Sequence, residues 1–534
     1  MSGRKRSLAW DFFSEMEDDK SKVKYIVPST SSVRSHSQCT QPTLEEAFIT
    51  NWDITDFRAK EIHYAIAEMI ATDNQPISIV ENQGFNRLLH LLKPKYKLPG
   101  RKYMSEMVIP TIYERVKKLI INEISKAKAV SITSDMWTCS NNMISFLSFT
   151  AHWLDEEFVL KHRVLQMKHF VGSHSGDHIR SGCFIHTLQL AIKASLQVEN
   201  VSDALTSARR IVTHFNHSSK AQDKLKNIQK ELNLPEHQLV QDVTTRWNST
   251  YYMLERIVEQ KRAISLYISD NSDLVNIQNC SERQWLIFKE SLILLKPFEE
   301  ITKITSSTFS SISEVIPHST TLIKYLSKPE ISEICPNVPE MVQKLREEVY
   351  RRFKNLEDDK YYCLSTLLDP RFRMRFFAPE NFEMVRRRLF LEAIQRSDPH
   401  AESSSEDETE TSRGRPPQNV SNFIEQSHFA FWNCYEELAS TNTVILEDPK
   451  SPIAVELDSY IVESLLPRNQ SPFDWWAKHK SKYAHLADLA RVFLGAPGSS
   501  VYSERLFSEA GNLYEEKRNR LLPERAESLH KCWQ

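Results

Sequence analysis

The chain has 534 residues, of which 40% are hydrophobic, so it is long enough for roughly three or four domains with substantial cores. A formal net charge of −2 excludes a positive electrostatic potential over the whole protein surface. Any contact to nucleic acid must therefore come from a local basic patch. Eight cysteines without a C-x-x-C pair, and no apolar run long enough to cross a bilayer, indicate a reduced compartment, the nucleus or the cytosol, and no membrane partner.

Residues 1–43 begin with an aromatic segment, Ser7–Phe13, and continue into a linker rich in Pro, Ser and Thr, Pro28–Thr43. A tetrahedral zinc site needs four nitrogen or sulfur ligands. This segment offers only His36 and Cys39. We therefore expect no folded zinc finger here and no bound zinc.

Residues 44–126 carry a helical pattern, and the low count of ten glycines agrees with a helix-rich protein. The predicted helices are Leu44–Phe48, Phe57–Ala71, Phe85–Leu92 and Ser105–Ser125. Basic residues alternate with Tyr96 and Tyr103 between the last two of these helices. The candidates for contacts to DNA phosphates are Lys95, Lys97, Arg101 and Lys102. A merely solvated loop is the alternative.

Three β-rich runs follow, separated by short polar turns. They are Val130–Asp135, Met143–Trp153 and Phe158–Met167. This spacing predicts a three-stranded meander, with Asp135 at the exit of its first strand.

Residues 191–396 are again helical, with expected interruptions at Pro235, Pro297, Pro317 and Pro329. An acidic, serine-rich run then predicts a disordered linker over residues 397–420. Helical periodicity resumes in residues 421–534.

Two apolar stripes near the C-terminus predict a helical hairpin. The first stripe ends at a stop signal, Gly495 with Pro497, and Ser503 is a possible N-cap of the second. The residues that form the stripes include Trp476, His479, Tyr483, Leu486, Ala490, Phe493, Leu506, Phe507, Ala510, Leu513 and Tyr514. Periodicity alone leaves open whether these residues form an ordinary core or an interface.

Three blocks, Ser503–Pro523, Ser134–Thr138 and Cys183–Leu190, resemble motifs of hAT-superfamily transposases and of the BED-finger proteins descended from them. The resemblance implies an α-rich α/β fold. A ribonuclease-H-like core, partly deleted, would begin in residues 127–190 and be split by an all-helical insertion, residues 191–396. Residues 421–534 would be a dimerisation region, residues 44–126 a DNA-binding-like region, and residues 1–43 a vestigial BED finger in which Tyr25 stands for the first cysteine ligand.

DNA strand transfer in such a core uses two metal ions held by three carboxylates. By resemblance, Asp135 is the first carboxylate and Glu504 the last, but the aspartate motif expected ahead of Cys183 is absent. The strand, helix and strand expected after the meander are deleted, which leaves unpaired sheet edges. Asp177, in a loop of Gly, Ser and His, is a poor substitute. We therefore expect a vestigial site without transposase activity.

The resemblance also assigns roles to other residues. Trp247, in the segment Thr245-Arg246-Trp247, corresponds to a tryptophan near DNA, although a core position is the alternative. Cys183 and His186 have the spacing of half a zinc site, but structural packing is the stronger interpretation. The residues assigned to dimerisation are Trp476, Leu486, Phe493, Leu506, Phe507 and Leu513.

These observations predict a domesticated, nuclear protein that binds DNA or chromatin as a homodimer, with a role in transcription and no catalysis. The sequence has no G-x-S-x-G motif, P-loop or Rossmann fingerprint, and no small-molecule substrate or cofactor is indicated. The alternative is a residual enzyme, acting in DNA strand transfer or as a SUMO ligase like some related proteins.

Overall fold

The computed structural model describes residues 13–16, 19–25, 51–138, 145–170, 183–271, 277–307, 310–397, 452–503 and 505–507. The chain divides into two compact units, Met1–Lys60 with Asn82–Leu98, and Glu61–Glu81 with Pro99–Gln534. Within the described ranges, no helix is long and apolar enough to cross a membrane.

The first unit contains a hairpin and a short amphipathic helix. Strands β1 (Phe13–Met16) and β2 (Asp19–Tyr25) pair antiparallel, with Phe13 opposite Tyr25. Helix α1 (Phe57–Thr72) begins in this unit, and helix α2 (Gln83–Leu92) lies within it. The predicted helix Leu44–Phe48 falls outside the described residues.

In the second unit, helix α1 continues and is followed by a 3-10 turn, Ile77–Glu81. Helix α3 (Arg101–Tyr103), a π-helical turn (Met104–Val108) and helix α4 (Ile109–Ile124) then form one continuous helical stretch. Helix α1 buries residues at the spacing of one helical face, including His63, Ile66 and Ile70. The helices predicted between residues 57 and 125 are confirmed.

A three-stranded antiparallel sheet follows, in the order β3 (Ser131–Thr138), β4 (Ser145–Leu154), β5 (Leu160–Phe170). The predicted meander is thereby confirmed. The sequence predicted Asp135 at the exit of the first strand, and this position is wrong. Asp135 lies in the middle of β3, opposite Ser148. In the described part of the chain β3 pairs with β4 alone, and Ile132 on β3 is 58% exposed.

Helices then occupy the chain from residue 184 to residue 397. They are α5 (Phe184–Leu196), α6 (Glu199–Asn216), α7 (Ser219–Glu231), α8 (Trp247–Glu259), α9 (Lys261–Asp270), α10 (Glu282–Thr305), α11 (Val315–Ser327), α12 (Pro329–Ile334), α13 (Pro339–Phe353), α14 (Lys360–Leu368) and α15 (Phe382–Ser397). Short 3-10 turns lie at Ile312–Glu314, Leu356–Asp358 and Pro379–Asn381. The predicted boundary at residue 190 falls inside α5, so the helical part begins earlier than the sequence indicated.

Two of the four proline interruptions predicted for this helical part are wrong. Pro297 lies inside α10 and Pro317 in the first turn of α11, where a missing amide is tolerated. A capping box between Ser281 and Gln284 fixes the start of α10. Pro329 follows the end of α11 and is the first residue of α12.

The C-terminal helices are α16 (Pro452–Val462), α17 (Pro472–His479) and α18 (Ala484–Phe493). The first predicted apolar stripe is therefore two helices, because the chain turns after His479. Residues 501–503 and 505–507 are also helical and are called the terminal segment below. Ser503 lies inside this segment and not at its N-cap. The predicted linker, residues 397–420, lies outside the described residues beyond Ser397.

Two buried clusters hold the second unit together. Helices α5 to α13 enclose the first, around Phe288, Phe298 and Leu345. Helices α14 to α18, together with the β4–β5 turn, enclose the second. Trp476 lies in the second cluster, where its indole N–H donates to the Leu368 carbonyl at 2.8 Å and its ring stacks on Phe158.

A buried ion cluster links the helical part to the segment after α14. Arg371 donates to Asp369 at 2.7 Å and to Glu314 at 2.9 Å, and all three side chains are less than a tenth exposed. The serine hydroxyls of Ser313 and Ser310 donate to Asp369 and Glu314, respectively. Burial raises the pKa of Glu314, and the positive charge of Arg371 opposes this shift. The cluster is satisfied only when all its members are present.

The segment after α14, residues 369–373, also fixes the position of helix α16. Arg373, at φ 50°, donates to the carbonyls of Glu463 and Ser464 after α16, and its guanidinium lies 4.6 Å from the Tyr460 ring centroid. The Leu466 amide donates to the Pro370 carbonyl at 2.9 Å. Residues 369–373 therefore join the helical part to the C-terminal helices.

We expect Arg371→Met to destabilise the chain by about 3–5 kcal/mol, because it leaves two buried carboxylates without their cation. The midpoint of urea denaturation, followed by tryptophan fluorescence, measures the loss. Lys261→Met is the matched control, since its partner Glu282 is 82% exposed and the pair contributes about 1 kcal/mol or less. Equal losses in the two variants contradict the importance of the cluster.

Candidate functional site

The face of the sheet that carries Asp135 is the candidate site. Directly opposed residues of antiparallel strands share a face. Asp135 opposes Ser148, and Trp137 opposes Phe146. His152 of β4 opposes His162 of β5, and this pair extends the same face.

The terminal segment lies on this face. The Tyr502 ring packs on His152 and His162, with centroid distances of 4.9 and 4.6 Å. Phe507 stacks on Trp137 at 5.9 Å, two residues from Asp135 along β3. The structure therefore brings together the first strand of the sheet, which carries Asp135, and the terminal segment, which the sequence predicted as the last part of the catalytic core. Glu504, the predicted last carboxylate, lies outside the described residues, although both of its neighbours are described.

Asp135 is half-buried on this face. Its carboxylate accepts a hydrogen bond of 2.9 Å from the Met136 amide, and the Ser148 hydroxyl donates to its backbone carbonyl. Burial raises the pKa of the Asp135 carboxyl, while the Met136 hydrogen bond and the charge of His186 oppose the shift.

The C-x-x-H motif lies at the start of α5. Cys183 is half-buried, and its sulfur accepts a hydrogen bond from the Ser500 amide at 3.4 Å, whereas His186 is exposed. In the described ranges these two residues are not part of any group of three metal-binding side chains. The motif thus connects α5 to the loop that precedes the terminal segment.

The pKa values of the two histidines beneath Tyr502 are lowered, which favours their neutral forms. Burial, assisted by the charge of His162, lowers the pKa of His152 to about 3. Burial and the nearby cations Arg163 and Arg505 also lower the pKa of His162. Sequence analysis missed this aromatic contact, although the alternation of residues along β4 places His152 on the Asp135 face.

Trp247 cannot stack on a base in this structure, so its assignment to DNA binding is corrected. Its ring is 2% exposed in the helical core, where it packs edge-on against Tyr251. The segment before it is fixed by Asp242, which accepts hydrogen bonds from Arg209 and Thr250. The alternative of a core position was therefore the better interpretation.

The residues assigned to dimerisation are also buried within one chain. Trp476 and Leu486 are 0% exposed, Phe493 is 2%, and Leu506 and Phe507 are 3% and 5%. These side chains are core residues and do not present a surface to a partner. The sequence could not reveal this, because distant parts of the chain supply the opposing walls. The β4–β5 turn and α14 pack against Trp476, Leu486 and Phe493, and Trp137 of β3 packs against Phe507. Leu513 lies outside the described residues.

The predicted phosphate contacts fall in both units. Lys95 and Lys97, in the first unit, are exposed on either side of buried Tyr96. The Lys95 carbonyl accepts from the Trp52 amide at 2.8 Å, which fixes this backbone. Arg101 and Lys102, in the second unit, are exposed at the start of α3, with Arg101 at 3.8 Å from Glu81.

We expect Asp135→Asn to stabilise the protein at neutral pH. The folded-state pKa of this carboxyl is raised, so folding favours its protonated form and the ionised form costs stability. The advantage of the variant should be absent below the unfolded pKa near 3.8 and grow as the pH rises through the folded pKa. Thermal unfolding of both proteins across this pH range measures it. A variant that is less stable at pH 7 contradicts the expectation.

Comparison with known proteins gives two family matches. The ZBED1 RNase-like helical domain matches residues 181–290, and the hAT family C-terminal dimerisation region matches residues 456–531. The first match covers α5 to α9 and the start of α10, and the second begins within α16.

Similar proteins extend along most of the chain. Zinc finger BED domain-containing protein 4 of Homo sapiens is 31% identical, over 88% of this chain and 43% of its own length. Zinc finger BED domain-containing protein 6 of Mus musculus is 23% identical, over 84% and 52%. The putative AC transposase of Zea mays is 24% identical, over 88% and 64%. The chain thus spans about half the length of the curated relatives it matches. Together with the two family matches, these similarities support a protein that is derived from hAT transposases and related to the zinc finger BED domain-containing proteins.

Proposed function

We propose that this chain acts in the nucleus, binds DNA or chromatin as a homodimer, has a role in transcription and has no strand-transfer activity. The three-stranded sheet is, in this proposal, the remnant of a ribonuclease-H-like core. Support comes from the Asp135 site, from the exposed basic residues and from the match to a dimerisation region.

The surroundings of Asp135 are the main support for the proposed absence of strand-transfer activity. Strand transfer needs three carboxylates around two metal ions. Asp135 stands in mid-strand, half-buried, with its carboxylate bonded to the neighbouring Met136 amide and with Trp137 beside it under Phe507. The sequence lacks the aspartate motif expected to supply the second carboxylate. In this proposal the site keeps Asp135, the first carboxylate ligand, and the terminal segment that lies over it. It lacks the complete set of three carboxylates.

Exposed lysines support the DNA-binding part of the proposal. Lys93, Lys95 and Lys97 are all exposed, whereas Tyr96 between them is buried and anchors the segment. Lysines on a fixed backbone can contact successive phosphates without reading a sequence. This patch gives affinity, and base recognition would come from other residues.

Self-association is supported by the match of residues 456–531 to the hAT dimerisation region. No cofactor is part of the proposal. Zinc belongs to the BED finger of relatives, and His36 with Cys39 does not complete a four-ligand set in residues 1–43.

We expect the double variant Lys95→Ala, Lys97→Ala to bind duplex DNA more weakly, because each lysine that contacts a phosphate releases a counterion. The slope of log affinity against log salt should fall by about two, roughly one for each contact. Fluorescence anisotropy over a salt series measures both effects. Lys289→Ala, Lys354→Ala is the matched control, since both residues are exposed elsewhere on the helical part. An unchanged slope in the first variant contradicts the assignment.

The purified protein should bind DNA ends without nicking or joining them in Mg²⁺ or Mn²⁺, because the carboxylate set is incomplete. Incubation with end-labelled duplex and separation on a denaturing gel gives the readout. Metal-dependent cleavage by the wild-type protein that disappears in Asp135→Ala would refute the absence of strand-transfer activity. Cleavage that persists in that variant indicates a contaminating nuclease and leaves the expected result in place.

A further inference from the structure

Helices α15 and α16 each present apolar side chains on the side opposite the core. On α15, Leu391 and Ile394 are 50% and 58% exposed. On α16, Val455 and Val462 are 53% and 59% exposed. Single exposed apolar residues are ordinary, but two neighbouring helices with the same arrangement form a candidate contact surface.

The inner faces of the same helices are buried. Val385 and Leu389 of α15 and Leu457 of α16 are 0% exposed in one common core cluster. At 100° per residue, Leu391 and Ile394 lie on the opposite side of α15 from these buried positions. The exposed side chains therefore do not contribute to the core that holds the two helices.

The two helices are fixed beside each other. Arg386 of α15 and Asp458 of α16 form an ion pair of 2.8 Å, and both side chains are largely buried. Arg373 also holds the end of α16 through the carbonyls of Glu463 and Ser464. The apolar side chains thus sit on a rigid support, which lowers the entropy cost of binding.

We propose that this α15–α16 face, defined by Leu391, Ile394, Val455 and Val462, is the surface through which a second copy of the chain binds. The inference rests on the proposed homodimer and specifies its contact. Helix α16 enters the matched dimerisation region at residue 456, so Val462 lies within that region and Val455 directly precedes it. In the described part of that region, Val462 is the large apolar side chain that stays exposed, whereas Trp476, Leu486 and Phe493 are buried.

Charge on α15 fits a contact between identical surfaces. Exposed Glu383 and Arg387 lie one helical turn apart, on the same side as Leu391. In a two-fold contact each surface meets its own copy, so the acidic residue of one subunit can face the basic residue of the other. The face thus combines an apolar centre with complementary charges at its edge.

Analytical ultracentrifugation of the full chain at micromolar concentration tests the proposal. The variant Leu391→Lys, Val462→Lys should dimerise about a hundredfold more weakly, because it buries unpaired charge in the contact. Its helicity and unfolding midpoint should match those of the wild type under conditions where both proteins are monomeric. Leu391→Gln, Val462→Thr is a milder second variant, expected to weaken dimerisation in the same direction. Leu286→Lys, at a 43% exposed apolar position on α10, should leave the dimer intact.

The outcomes separate this inference from the proposed function. A monomeric wild type overturns self-association itself, and the inference falls with it. A dimeric wild type whose variants dimerise equally well overturns only the α15–α16 face. If the variants keep wild-type dimerisation but unfold at a lower temperature, the four side chains contribute to the stability of a single chain, which also overturns the inference.

Discussion

The structure depends on covering one face of a three-stranded sheet. A sheet this small has little apolar surface of its own, and polar groups on its inner face require shielding or partners. Here Tyr502 and Phe507 of the terminal segment lie over His152, His162 and Trp137. The sheet and the terminal segment are therefore mutually dependent.

Contacts distant from the sheet determine where the terminal segment lies. Ser499 donates to the Thr305 carbonyl, and the Ile312 amide donates to the Ala496 carbonyl. Gly498 packs so closely that an added Cβ would lie 3.1 Å from the Ser311 carbonyl oxygen. The buried cluster around Arg371 fixes the neighbouring 3-10 turn through Glu314. These contacts hold the terminal segment over the face of the sheet that carries Asp135.

Hydrophobic periodicity was sufficient to predict the helices of residues 57–125 and the three-stranded meander, because both patterns are local. Other features depended on partners distant in sequence. Trp247 and Trp476 carried motif-like patterns, yet both rings are buried because helices elsewhere in the chain enclose them. Pro297 resembled a helix break but lies inside α10, whose packing on the first cluster outweighs the lost hydrogen bond. The pairing of Arg371 with Glu314 joins residues 57 positions apart, which no local pattern reveals.

Native-state hydrogen exchange gives the most direct test of the dependence of the sheet on the terminal segment. The comparison is between the wild type and the variant Tyr502→Ala, Phe507→Ala. Local openings of a structure report on the contacts that hold each part closed. Backbone amides of β3, β4 and β5 should lose protection in the variant, while those of α6 and α13 in the helical part should keep it. Equal protection of the sheet in both proteins would contradict the account.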